Sequence, residues 1–368
     1  MNPLEFYKIS DYYEIACMLF EPCNLKCKFC FEDHKNKTID TDYIENIYKI
    51  IDEKFSIDYE KYKHSLKTLY IMMWGGEIFY DALPDEVFKS YYKFVNNIKD
   101  LFDRKFQNIK VIFSWLSNGV FTNYKRVEGI VRYSGGIINF SYDPVNRFST
   151  YKQKDLMVKT ATHFKKIGLA DKISITLTKD SIKGFTENDD LLKYFNDIGF
   201  LIDVNYYIAN VNWQSLLATD DEIFTFFKWA IDNKLYKIKV LEKCFDSVTG
   251  KPSSSYCNCL WCSQITHGQW SVDCAKCSSV LPSELFYGEY TSQITEENSN
   301  QIKASIGLVK RGCLACEYHH ICQHPCWISV VFKGFKPSIC FYKQTYDYIK
   351  SNDAIINDFL KWKHNETK

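Results

Sequence analysis

A chain of 368 residues is long for a single hydrophobic core and short for three, which frames one large α/β unit with a smaller appended module. With 46% hydrophobic and 25% charged residues, its composition is that of a folded globular protein and not of a disordered one. A formal net charge of +1 offers no general attraction to nucleic acid or an anionic membrane surface, no window approaches the roughly 20 apolar residues that cross a bilayer, and the N-terminus lacks the basic-then-apolar order of a secretion signal, so a cytoplasmic protein with neither partner is expected.

Predicted elements alternate along the first two thirds of the chain. Strand-like runs fall at 13–20 (YEIACMLF), 68–74 (TLYIMMW), 109–116 (IKVIFSWL), 136–143 (GIINFSYD), 172–178 (KISITLT) and 201–209 (LIDVNYYIA). Helix-like segments lie near 41–55, 84–101, 123–133, 152–167, 187–198 and 220–234, several of them starting after the capping residues Thr41, Asp85 and Asp220. Alternating βα units imply parallel strands with right-handed crossovers. Six units fit a partial barrel at least as well as a doubly wound open sheet, and both place function at the carboxyl ends of the strands.

Past residue 240 the texture changes. The stretch TGKPSSSYCNCLWC is rich in turn residues, and cysteines replace aliphatic side chains. A small region so poor in apolar residues needs metal or cross-links for stability. The final stretch, TYDYIKSNDAIINDFLKWKHNETK, reads as one closing amphipathic helix. The expected division is an N-terminal segment (1–12), an α/β barrel (13–240), a linker (241–256), a cysteine-rich module (257–345) and a C-terminal helix (346–368).

In a reducing compartment fifteen cysteines are ligands or catalysts in preference to disulfides. Four stand at the front (Cys17, Cys23, Cys27, Cys30), eleven lie between Cys244 and Cys340, and none falls from 31 to 243, so two metal regions flank a metal-free scaffold. Cys17, inside the first strand, reads as a core thiol. Cys23, Cys27 and Cys30 follow that strand in EPCNLKCKFCFED. A closed zinc site takes four protein ligands, and so does an ordinary 4Fe-4S cubane. Three thiolates on one loop hold three irons and leave the fourth open.

This CxxxCxxC spacing, with Phe29 before its last cysteine, resembles the radical S-adenosylmethionine (radical SAM) enzymes. The resemblance implies a 4Fe-4S cluster on Cys23, Cys27 and Cys30 whose open iron is chelated by SAM. Further positions follow the same family. Gly75, Gly76 and Glu77, in MMWGGEIF at the end of the second strand, resemble the GGE motif that binds the SAM amino group. Ser117 and Asn118 in LSNG, and Ser141 in SYDP, would neighbour SAM at the next two strand ends, although each also suits a capping turn. Asp143 is the candidate base for the proton that leaves an oxidised substrate; salt bridging or capping is the alternative.

The run CLACEYHHICQHPC places Cys313, Cys316, Cys322 and Cys326 at Cx2Cx5Cx3C spacing, with Cys340 beyond. It resembles the SPASM extension of radical SAM proteins, which carries two auxiliary 4Fe-4S clusters. By that resemblance Cys313, Cys316, Cys322 and Cys340 hold one cluster, and Cys326 joins upstream cysteines on the other. The upstream group departs from the pattern, since Gly268 precedes Cys274 by six residues where the family has five. Cys259, Cys262 and Cys277 are favoured as ligands, with Cys257 close behind; an open iron or a zinc there is the alternative. His319, His320 and His324 read as surface or supporting residues. Cys244 stands alone as a free thiol, a proton donor or filler.

The resemblance therefore implies an α/β fold, a partial (β/α)6 TIM-type barrel followed by a SPASM domain and a C-terminal helix. The reaction implied is reductive cleavage of SAM to a 5'-deoxyadenosyl radical that abstracts hydrogen from a ribosomally made precursor peptide. The products expected are an intramolecular C–C (cyclophane) or thioether cross-link. Formylglycine formation, as in anaerobic sulfatase-maturing enzymes, and peptide epimerisation are the alternative outcomes, and a non-enzymatic zinc protein is the alternative class. Expected partners are the precursor peptide and an electron donor such as flavodoxin or ferredoxin. Residues 1–12 leave no room for a leader-binding domain, so the precursor is expected to bind the barrel, the SPASM module or a separate leader-binding protein.

Overall fold

The computed structural model describes residues 12–30, 38–64, 66–188, 190–207, 214–250, 262–266, 269–272, 315–318, 320–322 and 340–366. Of the sequence-derived ligands, Cys257, Cys259, Cys277, Cys313 and Cys326 lie outside the described residues, as do His319 and His324. The elements run β1 (Tyr12–Met18), α1 (Thr41–Tyr62), β2 (Thr68–Trp74), α2 (Asp85–Lys105), β3 (Lys110–Ser117), α3 (Tyr124–Ser134), β4 (Ile137–Tyr142), α4 (Tyr151–Lys166), β5 (Ala170–Leu177), α5 (Lys179–Asn188), α6 (Leu191–Asp197), β6 (Leu201–Tyr206), α7 (Asp220–Asp232), α8 (Lys239–Val248), β7 (Cys262–Thr266), β8 (Gln269–Val272), α9 (Phe341–Lys350) and α10 (Asp353–Glu366). Sheet order is β6-β5-β4-β3-β2-β1-β7-β8. The six strands β1 to β6 are parallel and, with their helices, match a partial (β/α)6 TIM-type barrel.

The chain divides into two compact units, one of residues 1–141, 147–172 and 258–274, the other of residues 142–146, 173–257 and 275–368. In the first, strand register pairs Ala16 with Met72 and Met72 with Ser114, and sets Leu116 beside Asn139. Period-two alternation then separates two faces. Ile15, Cys17, Ile71, Met73, Phe113, Trp115, Ile138 and Phe140 are almost wholly buried, against helices whose apolar positions recur every three or four residues, as in Phe88, Tyr91, Phe94, Val95, Ile98, Leu101 and Phe102 of α2. Ala16, Met18, Trp74, Met72 and Leu116 form a separate cluster on the opposite face. The aromatic abundance is spent mainly on the helix side: Phe55 meets Tyr13, Phe102 and Phe106, and Trp115 meets Phe79 and Tyr91. Each such buried ring contributes roughly 1.5–3 kcal/mol.

The second unit holds α5 to α10. Here α8 occupies residues expected to form a linker, because Leu241, Cys244, Phe245 and Ser247 give it a buried face. The single closing helix expected from sequence is two, α9 and α10. Ser351 and Asn352 separate them, and the Asn352 side chain accepts from the Ile355 amide. All three expected caps fall one residue earlier: Pro84 stands at the N-cap of α2 without a side-chain cap bond, so Asp85 is a first-turn residue. Asp40 accepts from the Tyr43 amide at 2.9 Å, and Thr219 forms a capping box with Glu222, so Thr41 and Asp220 are first-turn residues.

Candidate active site

The loop after β1 is laid down against the end of β2. Leu19 N–H donates to Trp74 O (2.8 Å), Gly76 N–H to Phe20 O (2.8 Å) and Glu77 N–H to Pro22 O (2.9 Å), which continues the strand pairing up to the first cysteine. Only glycine allows this approach. A Cβ on Gly76 would lie 2.0 Å from Pro22 O and 2.1 Å from Glu21 O, and one on Gly75 would lie 2.4 Å from Phe20 O. The Gly-Gly pair is thus what lets the cysteine loop cross the end of the sheet.

Glu77 ties the next strand into the same place. Its side chain is 1% exposed. Oε1 accepts from Ser117 Oγ (2.7 Å) and the Phe79 amide (3.0 Å), and Oε2 from the Asn118 amide (2.6 Å). Burial pushes its pKa up to about 7 despite those three donors and the nearby Arg147 charge. A carboxylate oxygen takes about two hydrogen bonds, so Oε2 has room for one further donor. Asn118 then reaches the loop itself, donating to Asn24 Oδ1 (2.8 Å) and, at 3.8 Å, to Cys23 Sγ. Asn24 in turn donates to Val120 O (2.8 Å).

Cys23, Cys27 and Cys30 are half-buried, and Cys30 N–H donates to Cys27 O (3.1 Å) across the turn that ends the loop. The Leu25 amide donates to Cys23 Sγ (3.4 Å). Burial pushes the Cys23 thiol up to about 11, opposed by that amide and by Arg147, so a metal would have to displace its proton. Among the described residues no group of three or more Cys, His, Asp or Glu side chains stands at metal-ligand spacing. What fits an iron-sulfur cluster is the donor set: three soft thiols within eight residues on one loop, with backbone and amide donors directed at the first sulfur.

Other sequence-predicted residues divide. Ser141 is half-buried at the end of β4, and among the described residues no hydrogen bond joins it to Glu77 or Asn118. Asp143 is fully buried, and its Oδ1 accepts from the amides of Val145 and Asn146, which is the capping geometry foreseen as an alternative to base chemistry. Phe29 does more than precede Cys30: the Arg147 guanidinium lies 5.2 Å from its ring centroid. Asn24 and Arg147 were missed by sequence reasoning, although Asn24 lies within the EPCNLKCKFCFED stretch it singled out and Arg147 just beyond SYDP.

In the first unit, Cys262 opens β7, where it pairs with Glu14 of β1. In the second unit, Cys340 is the N-cap residue of α9. Burial pushes its thiol up to about 11, the amides of Lys343 and Tyr342 lower it, and a charge on Cys316 would raise it. Cys316 and Cys322 are half-buried in a short turn in which the Cys322 amide donates to Tyr318 O (2.8 Å). The Tyr318 ring stacks on Tyr346 at 5.1 Å, and its hydroxyl donates to Asp347 of α9. Cys244 is buried in α8 with its pKa pushed up to about 12 by burial, the environment of an unreactive thiol. His320 is exposed.

No protein-family model and no curated protein matches the sequence. Solved structures do. The chain is similar to native anSMEcpe with bound AdoMet and Cp18Cys peptide, with a TM-score of 0.59 and 16% identity over 95% of this chain and 99% of that one. The fold is shared. Native anSMEcpe with bound AdoMet alone gives 0.57 and 15% over 95% and 99%. Streptococcus suis SuiB bound to precursor peptide SuiA gives 0.48 and 16% over 90% and 76%. No helix among the described residues is long and apolar enough to cross a membrane.

Proposed function

We propose that this chain is a radical SAM enzyme that modifies a peptide. The observation that carries this reading is the joining of three strand ends into one site: Gly75 and Gly76 admit the three-cysteine loop, and Glu77 and Asn118 fix it from β2 and β3. Support comes from the fold shared with anSMEcpe, an anaerobic sulfatase-maturating radical SAM enzyme whose structures hold AdoMet and peptide.

Cys23, Cys27 and Cys30 would hold the 4Fe-4S cluster. The chemistry such a cluster would supply is one-electron cleavage of SAM and, through it, removal of hydrogen from an unactivated C–H bond. Glu77 would offer its remaining acceptor position to the SAM amino group, and a cation there would favour its ionised form. Ser117, Asn118 and Ser141 would neighbour SAM at the strand ends. Asp143, its carboxylate aimed by the amides of Val145 and Asn146, would take the proton that leaves the substrate.

A SPASM-like module with two auxiliary clusters would occupy 257–345. Its ligands would be Cys313, Cys316, Cys322 and Cys340 for one cluster, and Cys326 with Cys259, Cys262, Cys277 or Cys257 for the other. The preferred product is an intramolecular C–C or thioether cross-link in a ribosomal precursor, made in the cytoplasm with electrons from a flavodoxin or ferredoxin. The test is co-expression with a precursor encoded beside the gene, followed by mass spectrometry. Loss of two hydrogens, mapped by fragmentation to a bond between two residues, supports the cross-link. An unchanged mass with inverted stereochemistry, or formylglycine at a Cys or Ser, replaces it with epimerisation or sulfatase-type maturation.

A further inference from the structure

Arg147 lies beyond the end of β4 and has no role in the sequence-derived site. Its guanidinium carbon stands 5.2 Å from the centroid of Phe29, within the range where a cation is attracted to the ring face. Phe29 lies inside the Cys27–Cys30 turn, so this contact bears on the loop that carries the sulfurs. Its charge also acts on Cys23 and Glu77. Among the described residues the Arg147 Nε is buried with no hydrogen-bond partner. Folded proteins rarely leave such a donor unmet. The cation is therefore held against the Phe29 ring, near enough to act on the Cys23 thiol and the Glu77 carboxylate.

We infer that Arg147 is a positioning residue that clamps Phe29 and keeps a positive charge beside the three-cysteine loop, so that a cluster bound there is easier to reduce. Adding an electron adds negative charge, and a fixed cation in a partly dry site favours the reduced form. The inference rests on the proposed function for the presence of the cluster.

The experiment is an EPR-monitored redox titration of the full chain, reconstituted anaerobically with iron and sulfide, for the native protein and for Arg147→Gln and Arg147→Lys. Adding SAM identifies the relevant signal, because only a cluster with an open iron changes its spectrum. Arg147→Gln should shift the reduced-to-oxidised ratio of that cluster about tenfold toward oxidised, ~59 mV for a one-electron couple. Arg147→Lys, which keeps the charge and loses the flat contact, should recover most of the shift. Iron content and melting temperature serve as controls, since a purely structural role would change those and leave the potential alone. An unchanged potential in Arg147→Gln, or an equal shift in Arg147→Lys, overturns the inference while the proposed function stands. Absence of any SAM-responsive cluster in the native chain overturns both.

Discussion

The loop of Cys23, Cys27 and Cys30 and the turn of Cys316 and Cys322 both present half-buried thiols, but different kinds of structure hold them. The first is fixed by strand ends: backbone pairing through Gly76 and Glu77, then a polar relay from Glu77 through Asn118 to Asn24. The second is fixed by one helix, through the Tyr318–Tyr346 stack and the Tyr318–Asp347 hydrogen bond on α9. A site built on strand ends is positioned by a core that forms without metal. A site built on a turn leaning on one helix has less to hold it, and a cluster bound there would matter more to its stability.

The largest effect expected from breaking this contrast is on chemistry. Replacing Cys23, Cys27 and Cys30 together by alanine should reduce SAM cleavage to background while the C-terminal iron stays, so that iron falls from about twelve to about eight atoms per chain. Loss of all iron would show that the two regions are not independent. Next comes Gly76→Ala, whose Cβ would overlap Pro22 O and Glu21 O. It should cost roughly 3 kcal/mol or more in urea denaturation of the metal-free chain.

Glu77 gives a prediction with a sign. Its folded pKa is raised from 4.5 to about 7, so its contribution favours the folded state fully below about pH 4.5 and is lost as pH rises through 7. The metal-free chain should lose about 3 kcal/mol from this group over that range. Glu77→Gln should flatten that part of the stability profile; an undiminished slope would place the titration elsewhere. The smallest effect is expected at the helix-supported turn. Tyr318→Phe removes one hydrogen bond to Asp347 and should cost about 1 kcal/mol, read as earlier loss of C-terminal iron on heating.

How much of this was legible in sequence depended on where the information lay. The six strands and their helices were readable because burial on a parallel sheet writes apolar runs into the chain, as in TLYIMMW and IKVIFSWL. The Gly-Gly-Glu at the end of β2 was visible as a motif, but the reason for it was not. That reason is the backbone of Phe20, Glu21 and Pro22, more than fifty residues away in sequence. Asn24 and Arg147 escaped notice for the same cause, since a polar residue in a loop shows its partner only when the fold supplies it. Helix α5 and the hairpin of β7 and β8 were overlooked, although Gly268 between SQIT and QWSV carries a hairpin signal. The break between α9 and α10 was written in Ser351-Asn352, a capping pair read through as helix.

The measurement that bears most directly on the central claim is release of 5'-deoxyadenosine from SAM by the anaerobically reconstituted, dithionite-reduced chain, alongside Cys27→Ala. The account predicts release by the native chain and none by the variant. A native chain that binds stoichiometric zinc without iron, or that cleaves SAM equally well without Cys27, would contradict it.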